Sequence, residues 1–203
     1  MSNYKETRMM EIRAADNDEG KMIIEGYAAV FEEETMIGDE ERGFIEVIDR
    51  KAFDKCNMKD VPMKYNHNDS HLILARTKNK SLHLSVDEKG LKIRAELVDT
   101  TSNRDIYTMI RSGLLDKMSF AFTVNDEEVS RRGNTPLRRI TDIDYLYDVS
   151  VVDTPAYEGT SIYARSLELV DTKLNTLDKV RLAKERSLAL AKRKMKIKLG
   201  IGG

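Results

Sequence analysis

The hydrophobic period turns from mainly strand-like to helical near residue 166 of this chain of 203 residues, and that change limits the fold more than any other feature. Up to residue 165, apolar side chains recur mostly at every second position, the spacing of strands with one face in a core. From Ser166 onward Leu167, Val170, Leu174 and Leu177 recur at helical spacing, with no proline and no glycine before Gly200. The chain therefore reads as mainly β with flanking helices, an α+β body followed by a helical tail. Three segments follow: an N-terminal arm over 1–19, a body over 20–165, and a basic amphipathic tail over 166–203. The tail is expected as one or two helices that lie against the body, pair with another chain, or do both.

Charge follows the same division. The whole chain carries −1, but ten Lys/Arg against four Asp/Glu after Ser166 give the tail +6 and leave −7 on the body. A near-zero total gives no argument for specific nucleic acid or for an anionic membrane. Cys56 is the only cysteine, so no internal disulfide can form, which fits a reducing compartment. The opening residues lack the apolar run of a signal peptide, and no run of about 18 apolar residues occurs. A soluble intracellular protein is expected.

Within the body, Met22–Phe31 and Phe44–Ile48 read as strands, and Val61–His67 as a shorter one. Asp87-Glu88-Lys89-Gly90 is a hairpin turn joining two arms. Leu82, Leu84 and Val86 of the first should face the core, with Leu91, Ile93, Ala95 and Leu97 of the second. Ser102–Gly113 reads as a helix with polar caps and a glycine stop. Met118, Phe120 and Phe122 then alternate with Ser119, Ala121 and Thr123, a strand with an aromatic core face and a face of small or hydroxylated residues. A polar hairpin through Gly133-Asn134-Thr135-Pro136 leads to a last strand over Asp144–Val152, which Thr154-Pro155 ends.

Few residues here can carry chemistry. His83 lies on the outward face of its strand and reads as a solvated side chain. His67 and His71 stand four apart, a spacing that suits zinc on a helix, but here they flank a strand end entering a loop. His67 is alternatively a general base for Ser119, with a carboxylate near the last strand to fix its tautomer. Cys56 sits in a polar segment and reads as an inert thiol. Glu32-Glu33-Glu34 and Asp39-Glu40-Glu41 read as solvated loops rather than a cation cage.

Several segments together resemble the prohead maturation proteases of tailed phages, whose fold is related to the herpesvirus assemblins. They are Gly26–Phe31, Gly43–Ile48, Lys51-Ala52-Phe53-Asp54, Asn66-His67-Asn68-Asp69, Gly90-Leu91, the helix ending at Gly113, Met118–Phe122, and Asp148–Tyr157, with Arg165 beyond. Their order and spacing are more specific than any one of them. Ala75 departs from the glycine that the family often carries after its histidine loop.

The resemblance implies that 20–165 is a serine protease domain folded as a closed or nearly closed antiparallel barrel of the assemblin type. It implies His67 as base, Ser119 as nucleophile and Asp148 as the third member, with Asp144 and then Asp142 as alternatives. Assemblins use a second histidine in that place, and no histidine follows His83 here. No cofactor and no metal is implied; Arg165 or backbone amides are candidates for the oxyanion hole. The implied substrate is the scaffold segment of the major capsid protein, and the chain itself. The protein is expected as a homo-oligomer inside the prohead, in the host cytoplasm. The rivals are a non-enzymatic capsid assembly module of the same fold and a metal-dependent hydrolase using His67 and His71.

Overall fold

The computed structural model describes residues 5–15, 20–38, 43–68, 73–153 and 161–198, with the side chains of 161–165, 193–194 and 196–198 left aside. Its spine is a long hairpin, β9 (Lys117–Arg132) and β10 (Thr135–Val152), paired from Arg132↔Thr135 to Lys117↔Val152. The two-residue turn needs a left-handed backbone, which Gly133 supplies at φ +62. Strand β1 (Glu6–Ala14) lies antiparallel on the free edge of β9, from Glu6↔Phe122 to Glu11↔Lys117. At Ile12↔Gly26 it passes to β2 (Ile23–Val30). A side chain at Gly26 would place its Cβ 2.6 Å from the Glu11 carbonyl oxygen, so this crossing requires glycine. Beyond β2 come β8 (Gly90–Glu96) and β7 (Leu82–Val86), joined by the expected turn.

The other edge of β10 is shared. Strand β4 (Phe44–Ile48) runs parallel to Leu137–Ile140, and β5 (Pro62–Tyr65) runs parallel to Val149–Val151. Between them Ala52 and Asn57 meet the exposed backbone groups: Ile143 N–H donates to Ala52 O at 2.8 Å, and Asn57 N–H to Asp144 O at 2.9 Å. Strands β3 (Thr35–Ile37) and β6 (Ile73–Arg76) flank β4 and β5. The result is mainly β, but it is an open sheet and not the closed or nearly closed antiparallel barrel expected. Two joins to β10 are parallel, and β6 and β7 do not pair. The tight turn between them explains this, because the Ser81 hydroxyl accepts from Arg76 N–H at 2.9 Å where a ladder bond would lie.

Met118, Phe120 and Phe122 are fully buried in the main core, with Phe120 and Phe122 stacked at 4.8 Å and Phe53 6.5 Å from Phe120. Helix α1 (Thr101–Arg111) closes over this core with Ile106 and Ile110. Thr100 caps it, and Gly113 at φ +75 follows its end. Leu91, Ile93, Ala95 and Leu97 face inward as expected. Of the partner arm only Leu82 does so fully, and Val86 is 46% exposed.

Helix α2 (Ser161–Lys198) is a single element, and its Val170 and Leu174 pack on Ile37 and Phe44 to form a second small core. Beside that core lies a buried charge cluster. Arg138 donates to Glu6, Glu46 and Glu127, Arg8 donates to Glu6 and Glu46, and Lys173 of α2 pairs with Glu127 at 2.9 Å. Three cations thus face three carboxylates. Burial alone would raise the pKa of Glu6, but hydrogen bonds from Arg138 and the charges of both arginines lower it from 4.5 to about 2. That difference corresponds to roughly 3 kcal/mol of stability at neutral pH. Residues 6–14, expected within an arm, are therefore an interior strand. No helix among the described residues is long and apolar enough to cross a membrane.

Candidate active site

The alternation in β9 turns Ser119 away from Phe120, and the ladder sets it directly opposite Ser150 of β10. On the other side of β9, Met9 of β1 is its partner. The register of β10 shifts between Leu146 and Asp148. Leu146, opposite Phe122, faces the core, whereas Asp148, opposite Ala121, shares the face of Ser119. A strict period of two would have put Leu146 and Asp148 on one side.

His67 reaches this face from the end of β5. Asn66 N–H continues the parallel ladder to Val151 O at 2.9 Å, and Asn66 and His67 then both turn left-handed, at φ 51 and 52. Asparagine tolerates that conformation, but histidine pays about 1–2 kcal/mol for it, so the neighbourhood must hold it in place. Asp153 does so from beyond β10: its carboxylate accepts from Asn66 Nδ2 and Tyr65 OH, each at 2.9 Å, and its N–H donates to Asn66 Oδ1 at 3.1 Å. His67 N–H donates to Ser150 Oγ at 3.2 Å.

This places His67 Nδ1 2.5 Å from Asp148 Oδ1. The same oxygen accepts the Ser150 hydroxyl at 2.9 Å, while Oδ2 accepts Lys5 Nζ at 2.9 Å, with Lys64 Nζ 3.9 Å away. Asp148 is completely buried. Burial would push its pKa up, but the bond and charge of His67, with those of Lys5, hold the carboxyl far below the usual range. An ionised Asp148 fixes the proton of a neutral His67 on Nδ1 and leaves a lone pair on Nε2. Among the described residues, His67 Nε2 and Ser119 Oγ are buried without a hydrogen-bond partner, as are the Thr123 and Thr141 hydroxyls. Buried polar atoms are rarely left so, and each of the four calls for an explanation.

The remaining expected residues lie elsewhere. Asp144 is exposed, and Asp142 accepts from Asn125 Nδ2 at 2.7 Å, so His67 meets neither. His83 is exposed. Burial and the charges of Asp144 and Asp142 push the Cys56 thiol up to about 12. Glu32 pairs with Arg139, and Glu34 with Arg132. His71, the Asp39-Glu40-Glu41 run, 154–157 and the Arg165 side chain lie outside the described residues. No group of three or more His, Cys, Asp and Glu side chains gathers as a metal site among the described residues. Lys5, Lys64, Ser150 and the Asn66–Asp153 clamp were not foreseen as site residues. Only the inclusion of Asn66 and Asp153 in the recognised segments hinted at the clamp.

The structure of the bacteriophage T4 capsid assembly protease, gp21, is similar at 10% sequence identity and a TM-score of 0.42, covering 75% of this chain and 100% of that one. No curated protein matches. The caudovirus prohead serine protease family matches residues 8–173, from β1 into α2, and the chain belongs to that family.

Proposed function

We propose that His67, Ser119 and Asp148 form the triad of a serine endopeptidase that cuts the scaffold segment of the major capsid protein, and the chain itself, inside the prohead. One observation carries the reading: Asp148 holds His67 by Nδ1 while Nε2 and Ser119 Oγ remain buried and unpartnered on the same side of the sheet. In this chemistry Ser119 Oγ attacks the peptide carbonyl carbon as its proton passes to His67 Nε2. The imidazolium, balanced by Asp148, then gives that proton to the leaving amine, and water enters by the same route to release the acyl group.

Ser119 is only 1% exposed, so a peptide gains access after the chain around the site opens. That suits a latent enzyme assembled into a shell before it acts. A homo-oligomer, in the host cytoplasm and then the prohead, completes the proposal. It is supported by Val180, Leu182, Leu188, Leu190 and Met195, which α2 exposes beyond its contact with the body.

Purified capsid protein incubated with Ser119→Ala and with His71→Ala tests the assignment by gel and intact mass. The triad predicts loss of cleavage in the first variant and retention in the second. Normal cleavage by Ser119→Ala would overturn it, and a chain mass that never shortens in the unaltered enzyme would remove self-cutting.

A further inference from the structure

A triad carboxylate has to be kept charged, oriented and balanced, and here His67 does not do this alone. Asp148 Oδ1 serves His67 Nδ1 and the Ser150 hydroxyl, while Oδ2 points to two ammonium groups. Lys5 is the nearer at 2.9 Å, against 3.9 Å for Lys64. It arrives just ahead of β1, whose register with β9 is fixed by Glu6↔Phe122, and its ammonium lies 5.5 Å from the Tyr147 ring centroid. Residue 5 also precedes the span over which the family matches, so the family match does not include this contact.

We propose that Lys5 is a positioning residue of the active site, anchoring Asp148 Oδ2 so that Oδ1 stays on His67 Nδ1 and balancing the charge of the carboxylate. The inference builds on the triad reading. Among the described residues, the charged and titratable groups near His67 are Asp148 from β10, Lys64 and Tyr65 from β5, Asp153 beyond β10, and Lys5 itself. Of these, Asp148 favours the imidazolium and the lysines oppose it. Removing Lys5 leaves a buried carboxylate with a larger share of its charge unbalanced. The imidazole then becomes more basic, and Asp148 gains freedom to turn toward Lys64.

Two measurements on the full chain test this. In a Ser119→Ala background, NMR follows the imidazole titration of His67 with and without Lys5→Met. In the active enzyme, kcat and KM for capsid protein cleavage are measured from pH 5 to 9. Lys5→Met should raise the His67 midpoint by about half to one pH unit, the size expected of one charge a few ångströms away at a partly exposed position. The acid limb of kcat/KM should move up with it, and kcat on the plateau should fall on the order of tenfold from the loosened carboxylate. Lys5→Arg should restore both within about threefold, since it keeps the charge. An unmoved His67 midpoint in Lys5→Met overturns the proposal, even where kcat or thermal stability falls, because that pattern belongs to a merely structural contact. Should Lys5→Met fold poorly, Lys5→Gln carries the same test. Failure of the triad itself is seen separately, as cleavage by Ser119→Ala.

Discussion

Replacing Arg138 by methionine is the sharpest probe of how the body holds together. Methionine keeps an apolar stem in the same space and deletes a guanidinium whose side chain is 1% exposed. In the native cluster Arg8, Arg138 and Lys173 balance Glu6, Glu46 and Glu127, and Arg138 alone touches all three carboxylates. The variant therefore holds one surplus negative charge among side chains that are 2%, 3% and 5% exposed. Breaking a buried pair in this way costs about 3–5 kcal/mol, a large part of a typical domain stability of about 5–15 kcal/mol.

The pH dependence separates this cause from lost packing. Glu6 ionises at about 2 in the folded protein, so its contribution is full above the unfolded value of about 4.3 and fades as pH falls toward 2. Without Arg138, burial dominates, and the cluster takes up a proton well above its native midpoint. The difference between the two proteins in urea unfolding should therefore shrink, from about 4 kcal/mol at pH 7 to under about 2 kcal/mol at pH 4.5. Adding Glu6→Gln to the variant restores the balance of charge and should recover about half of the loss. An equal difference at both pH values, or one below about 1 kcal/mol at pH 7, would refute the reasoning.

Further outcomes are expected. In Asp148→Asn, Lys5 and Lys64 should draw the amide oxygen to their side and turn the NH2 toward His67. That change imposes the wrong tautomer and should lower kcat about 10³–10⁴-fold with KM little changed, as read in capsid protein cleavage. Asn66→Ala removes the clamp to Asp153 and places alanine at φ 51; kcat should fall about 10–100-fold and urea stability by about 1–3 kcal/mol. Leu174→Ala should cost about 2–3 kcal/mol and speed amide exchange in the start of α2, because its side chain is 5% exposed against Phe44 and Ile37. Leu182→Glu, at a side chain that is 49% exposed, should leave unfolding within about 0.5 kcal/mol while moving sedimentation toward the monomer.

Local chemistry made several elements legible. The aromatic alternation of β9, the Asp87–Gly90 turn and the caps of α1 each follow from a few adjacent residues. The order of the recognised segments pointed to His67, Ser119 and Asp148, and the fold brings His67 onto Asp148 with Ser119 on the same face. What escaped was set by distant partners. The register shift before Asp148 breaks the period of two and has no turn residue to announce it. Glu6 and Arg8 fell within the expected N-terminal arm, and apart from each other the charges that permit their burial lie 38 to 132 residues away. The two parallel joins along β10 are likewise invisible to a reading of single strands.

The place of β1 between β9 and β2 also has a consequence for biosynthesis. Glu6 finds Arg138 across 132 residues and Ser166 across 160, and Lys5 finds Asp148 across 143. Contacts of such separation form slowly, and none can form until β10 has left the ribosome. A nascent chain can close its β7–β8 hairpin early, yet its first strand waits with charged side chains in water until the last strand arrives. The carboxylate proposed for the triad is therefore dressed only at the end of synthesis, and the proposed activity has to wait until the chain has been made.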